Sequence, residues 1–134
     1  MANQTTGNDL FFGANQNEEL HGLWDEGLVV AIRDTADYDQ LAESLESSVV
    51  QSVSPTLGDY HSWAEKWAAD SVRQAQRAYQ GITFGSATIA DRRLRIVVQL
   101  PDDYIDKKRP LAAAQLAKAG VHLAQLLNAI QWRQ

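Results

Sequence analysis

Leu41, Leu45, Val49 and Val53 recur every four residues, with charges and serines between them. This spacing predicts an amphipathic helix over 37–53. Asp37 or Thr35 can serve as its N-cap, and Pro55 ends it. A second stripe, Trp63, Trp67, Val72, Ala75 and Tyr79, predicts a helix over 60–80, capped by Asp59 and stopped by Gly81. A third, Leu116, Ala119, Leu123, Leu127 and Ile130, predicts a core-facing helix over 103–131. Pro101-Asp102-Asp103 opens it, Pro110 inside it marks a kink or a fresh start, and Gly120 beside Ala119 permits close helix contact. Between the last two helices the period changes to two. Leu94, Ile96, Val98 and Leu100 alternate with Arg93, Arg95, Val97 and Gln99, the pattern of a half-buried strand. Residues 82–89 can pair with it through a turn near Ala90-Asp91-Arg92, giving a small β-hairpin around 82–100.

The N-terminal part is less regular. Residues 1–8 are polar, and Leu10-Phe11-Phe12 reads as a short extended segment ended by Gly13. Leu20, Trp24 and Leu28 predict a short helix over 17–32. Gly22 and Gly27 weaken it by roughly 1 kcal/mol each relative to Ala. The fold class expected from these patterns is mainly α.

At 134 residues the chain forms a single domain, 1–134, and its 45% apolar content can supply a core. No run of eighteen apolar residues exists, so no membrane span or membrane partner is expected. Met-Ala-Asn-Gln-Thr-Thr has neither the basic nor the apolar region of a signal peptide. The absence of cysteine excludes disulfides and thiolate zinc sites, which leaves the three histidines and the carboxylates as metal ligands. The net charge of −5 argues against a protein that binds duplex nucleic acid by charge alone. It does not argue against a metal-assisted site, where the ion supplies the positive charge.

His21 and Asp25 are four residues apart, so on a helix both side chains leave one face. An imidazole and a carboxylate so placed can share zinc or another first-row metal. Spacing alone favours the plainer alternative of an exposed ion pair. Asn8 follows Gly7 and reads either as a turn residue or as an amide donor beside a phosphate or base. His61 and His122 lack spacing partners and read as surface or structural residues. Trp24, Trp63 and Trp67 read as packing residues, and Arg92, Arg93 and Arg95 as a solvated strand face. The chain has no P-loop, no Gly-x-Ser-x-Gly elbow and no recognisable Ser/His/Asp arrangement, and no catalytic residue is assigned.

Gly7-Asn8, then a short apolar segment, then Leu20-His21-x-x-Trp24-Asp25 resembles the central motif of the S1/P1 nucleases, the zinc-dependent single-strand-specific nucleases of the phospholipase C/nuclease superfamily. Thr6 replaces the motif's usual first Gly, and Glu19 its usual Asn before Leu. Trp67-Ala68-Ala69-Asp70-Ser71 resembles the family's Trp-Ala-x-Glu-Ser, with Asp for Glu, and Ala78-Tyr79 fits the Ala-Tyr that follows. Tyr104, Arg109-Pro110, Gln115-Leu116, Ala119-Gly120 and the Leu123–Asn128 run resemble the family's terminal helix.

The resemblance implies the helical bundle of that superfamily, with a short β-hairpin before the His21 helix. It implies a site of three zinc ions to which His21 and Asp25 give two ligands, with Asn8 in the wall on the substrate side. The implied activity is hydrolysis of single-stranded RNA or DNA to 5′-phosphorylated products. Members are roughly twice as long, and most other ligands come from an N-terminal half, so the chain is expected to correspond to the C-terminal half. Any leader would lie in the other half, and the parent protein is expected to be secreted or periplasmic. Eukaryotic members carry disulfides, so a cysteine-free chain points to a bacterial source. The expected partners are single-stranded nucleic acid or nucleotides, and a second copy or the absent half. Two other readings stand beside this one. The first is a catalytically inert helical interaction module. The second is a zinc phospholipase, which the Gly-Asn and Trp-Ala-x-acid-Ser elements disfavour.

Overall fold

The computed structural model describes residues 7–90 and 92–130. A 3₁₀ turn, Gly7–Asp9, leads into β1 (Leu10–Phe12), which turns back at once into β2 (Glu18–Glu19). The reversal is closed by Gln16 N donating to the Gly13 carbonyl at 3.0 Å. A continuous helical run follows as α1 (Leu20–Gly22), a π-helical stretch (Leu23–Gly27) and α2 (Leu28–Arg33). Then come α3 (Tyr38–Ser48), α4 (Trp63–Tyr79), β3 (Thr83–Ala90), β4 (Arg93–Gln99) and α5 (Tyr104–Ala129), with short 3₁₀ turns at Val50–Ser52 and Tyr60–Ser62. The mainly α expectation is met. α2, α3 and α4 all pack on α5, the longest helix.

Local chemistry explains several element ends. Asp37 caps α3 by accepting from Gln40 N at 2.8 Å, while the Gln40 side chain accepts from Asp37 N at 3.0 Å, a complete capping box. Asp59 accepts from His61 N at 2.9 Å, fixing the turn that feeds α4. Gly81, at φ 89°, carries the chain out of α4. Pro110 does not start a new helix, because α5 runs unbroken from Tyr104 to Ala129 around it.

The expected hairpin exists and belongs to something larger. β3 and β4 pair antiparallel from Thr83↔Gln99 to Ala90↔Arg93, with an extra β3 residue accommodated between Phe84 and Ala87. β4 also pairs in parallel with β1, Leu10↔Ile96, and the sheet order is β2-β1-β4-β3. This corrects the predicted start of the first helix. Glu18 and Glu19 are laddered to Phe12 and Phe11, so the helical run begins only at Leu20.

One core cluster joins the sheet to the His21 helix: Leu10, Leu20, Val98 and Tyr104, with Trp24, Tyr79 and Ile96 packed against it. The predicted core stripe of α5 is a second correction. Leu123 is 58% exposed and Ile130 43%, whereas the buried residues of α5 are Tyr104, Leu111, Ala112 and Ala117. Periodicity identifies an apolar face but not whether anything covers it. Here close contacts are made through alanines, and the larger aliphatics look outward.

Candidate active site

His21 Nε2 and Asp25 Oδ2 lie 2.8 Å apart, and the side chains are 51% and 63% exposed. They therefore share one face with their polar atoms converging, as the spacing requires. The segment between them is the π-helical stretch, in which Leu28 N–H reaches back five residues to the Leu23 carbonyl. Such widened turns recur at functional sites. Gly27 permits this one, since a Cβ at that position would meet Leu23 Cδ1 at 2.8 Å. Gly7 has a similar role. A Cβ there would lie 3.3 Å from both the Cα and the N of His21, so the Gly7–Asp9 turn sits directly against the His21 backbone. Asn8, half-buried, is the central residue of that turn. The three residues singled out by the sequence thus occupy adjoining elements.

Two donors about 2.1 Å from one tetrahedral zinc stand roughly 3.4 Å apart. At 2.8 Å the two atoms are instead in direct contact as an exposed ion pair, and they would part by about 0.6 Å to share an ion, although imidazole nitrogen with carboxylate oxygen is a zinc-type set. Four ligands are normal. Among the described residues no group of three or more His, Cys, Asp or Glu side chains converges as a metal site. The His61 ring lies tilted at 35° against Tyr60 with centroids 3.9 Å apart, and His122 is stacked on Trp67 at 4.4 Å with an interplanar angle of 12°. Both histidines are held elsewhere.

A cavity of about 420 Å³ adjoins the pair, lined by His21, Trp24, Ser71, Gln74, Leu111 and Gln115 among others. The Trp24 indole is fixed as its wall, with Nε1 donating to Tyr104 Oη at 3.0 Å, and that hydroxyl donating to the Ala78 carbonyl at 2.8 Å. In the sequence Gln115 stands out only as part of the terminal-helix resemblance. Its Nε2 is buried without a hydrogen-bond partner. The available signal was its position four residues after Leu111 on a buried face, where a polar side chain stands out. Arg95 proves structural, its guanidinium 3.9 Å above the Phe11 ring.

Asp70, the acid of Trp67-Ala68-Ala69-Asp70-Ser71, accepts from Lys118 Nζ at 2.6 Å, Gln74 Nε2 at 3.0 Å and Arg73 Nη2 at 3.3 Å. The bond from Lys118 holds its carboxyl below the usual carboxylate range, against an opposing push from burial. His122 is also lowered, first by burial and then by the Lys118 charge. Both depressed groups bind protons more readily when unfolded, so both contribute stability at neutral pH that acid removes. His122 loses its share as pH falls below the ordinary imidazole range, and Asp70 as pH falls through the carboxylate range. Urea midpoints measured from pH 7 to pH 3 are expected to decline in both windows. In Lys118→Met the carboxylate-range decline is expected to flatten, and an unchanged slope there would show that the pair carries no linkage.

The model of the S1/P1 Nuclease family matches residues 2–131. Endonuclease 1 of Arabidopsis thaliana is 25% identical over 124 residues, which cover 83% of this chain and 36% of that protein. The chain therefore spans about a third of the length of that relative. No solved structure matches.

Proposed function

The chain belongs to the S1/P1 nuclease family, and from that premise we propose that it forms the His21–Asp25 part of a zinc-dependent phosphodiesterase acting on single-stranded RNA or DNA. The observation that carries this reading is the convergence of His21 Nε2 and Asp25 Oδ2 at 2.8 Å beside the Gly7–Asp9 turn. The endonuclease name of the Arabidopsis relative supports cleavage of nucleic acid strands. Bound zinc supplies Lewis acidity toward a phosphodiester and a source of hydroxide near neutral pH. The residues of this chain hold and orient. His21 and Asp25 give two donors. Asn8 presents an amide on the substrate side. Trp24, locked by Tyr104, keeps the helix between the two ligands in place. Two donors do not complete a zinc set, so the remaining ligands come from another polypeptide or from chain beyond the described residues.

Zinc titration of the purified chain, followed by ¹H–¹⁵N NMR, tests this. Zinc is expected to perturb His21 and Asp25 at weak affinity, and His21→Ala is expected to abolish the effect. Alongside, a single-stranded oligonucleotide is expected to remain uncut. Perturbation centred on His61 or His122 instead would remove the metal-pair reading. Robust zinc-dependent cleavage that His21→Ala abolishes would show that the chain completes a site by itself.

A second reading, an interaction module without catalysis, is favoured by one specific feature. Ile105, Leu116 and Leu123 on α5, and Ile130 just after it, are each at least 36% exposed.

A further inference from the structure

A second cavity, of about 320 Å³, opens between α4, α5 and the segment after α3. Its charged lining residues are Lys66, Arg73, Lys118 and Asp70. Three of the chain's twelve Lys and Arg residues therefore meet there with one of its seventeen Asp and Glu residues, a balance opposite to the net charge of −5. Asp70 is shared between Lys118 at 2.6 Å and Arg73 at 3.3 Å. Lys66 Nζ donates to the Leu57 carbonyl at 2.6 Å, and no ion pair to it is found among the described residues. Three cations against one carboxylate leave a net charge of +2 around an open, concave space, and a recess lined by one sign of charge concentrates its counter-ion. Ser52, Ser54 and Thr56 add polar groups to the rim. The stacked Trp67–His122 pair forms a firm wall, with the indole Nε1 anchored on Thr56 Oγ1 at 2.7 Å.

We propose that this cavity is a phosphate-binding site, separate from the His21–Asp25 pair, in which Lys66, Arg73 and Lys118 receive the oxyanion of a phosphate ester. The same chemistry fits a terminal phosphate and an internal phosphate of a strand. Lys118 and Asp70 form the fixed base of the site, and the more exposed Lys66 and Arg73 close on the ligand. His122 reports occupancy. It faces Lys118, Asp70, Lys66 and Arg73 across the cavity, and an anion beside it favours its protonated form.

The test uses the whole chain without metal, in chelator, titrated with inorganic phosphate and then with thymidine oligonucleotides with and without a 5′-phosphate. Phosphate is expected to shift the signals of residues 52–56, 66–73 and 118–122 and to raise the titration midpoint of His122. Added salt should weaken binding. Lys66→Met and Arg73→Met, both at exposed positions that leave the Asp70–Lys118 pair intact, should each weaken it by about two- to fivefold, the range of exposed ion pairs. An oligonucleotide that binds only when 5′-phosphorylated identifies a terminal phosphate; one that binds equally without it identifies the strand backbone. His21→Ala should leave all of this unchanged, so failure of the metal-pair reading and failure of this one are separable. Shifts spread evenly over Lys107, Lys108 and the other surface cations, or a His122 midpoint that phosphate does not move, would overturn the proposal.

Discussion

Replacing Tyr104 by Phe is expected to lower the unfolding free energy by about 1–3 kcal/mol, a large share of a small domain's stability. The side chain is 2% exposed, and its hydroxyl is the common partner of two groups. It accepts from Trp24 Nε1 and donates to the Ala78 carbonyl, one of the last carbonyls of α4. Phe keeps the ring and its packing but leaves an indole N–H and a helix-terminal carbonyl without their partner. Truncation to Ala adds the loss of a buried ring and should cost roughly 3–5 kcal/mol. Burial also pushes the Tyr104 hydroxyl above its ordinary range, so it remains a neutral donor across the accessible pH range. Urea unfolding read by circular dichroism measures the loss. Zinc titration of Tyr104→Phe measures the consequence for the site, because Trp24 sits between His21 and Asp25. A variant as stable as the parent would show that water replaces the hydroxyl and that Trp24 is held by packing alone.

Much of the framework can be read from local sequence, because local chemistry sets it. The Asp37 cap, the Asp59 cap, the Gly81 exit and the alternation through 93–100 each involve near neighbours, and each appears where expected. The His21–Asp25 convergence is likewise a property of one helical turn. What local pattern could not supply was pairing at long range. The parallel register of Leu10 with Ile96 joins residues 86 positions apart, and it carries the β1–β2 hairpin into one sheet with β3 and β4. Three apolar residues before a glycine carry no information about which strand they will meet. The Asp70–Lys118 contact and the burial of Gln115 have the same origin, since both depend on how α4 lies against α5. The charges near the N-terminus of β4 are contiguous in sequence, yet Arg95 is spent on Phe11. The cations that share a cavity are scattered from Lys66 to Lys118.

The purified chain is expected to self-associate at micromolar concentration through the outer face of α5. Ile105, Leu116, Leu123 and Ile130 are 40%, 36%, 58% and 43% exposed. The first three are separated by eleven and seven residues, spacings that return to one side of a helix, so they form a single stripe on α5, and Ile130 follows directly after its last residue. Ala119 and Gly120 lie within it, and a Cβ at Gly120 would meet nothing within 4 Å, so a second helix can approach there without a clash. An apolar stripe of this length exceeds the scattered exposure normal for a monomer's surface and marks an interaction face. In a solution of this chain alone the available complement is another copy, and the expected contact is isologous, as in most soluble dimers. Sedimentation velocity between 1 and 100 μM (about the range in which weak dimers form, roughly −8 to −5.5 kcal/mol) should show a concentration-dependent shift to a dimer. Leu116→Asp with Leu123→Asp should abolish that shift while leaving the helical circular dichroism unchanged, because neither residue belongs to the buried core. A parent chain that stays monomeric through the whole range would sink the prediction. A dimer that survives both substitutions would move the contact to another face.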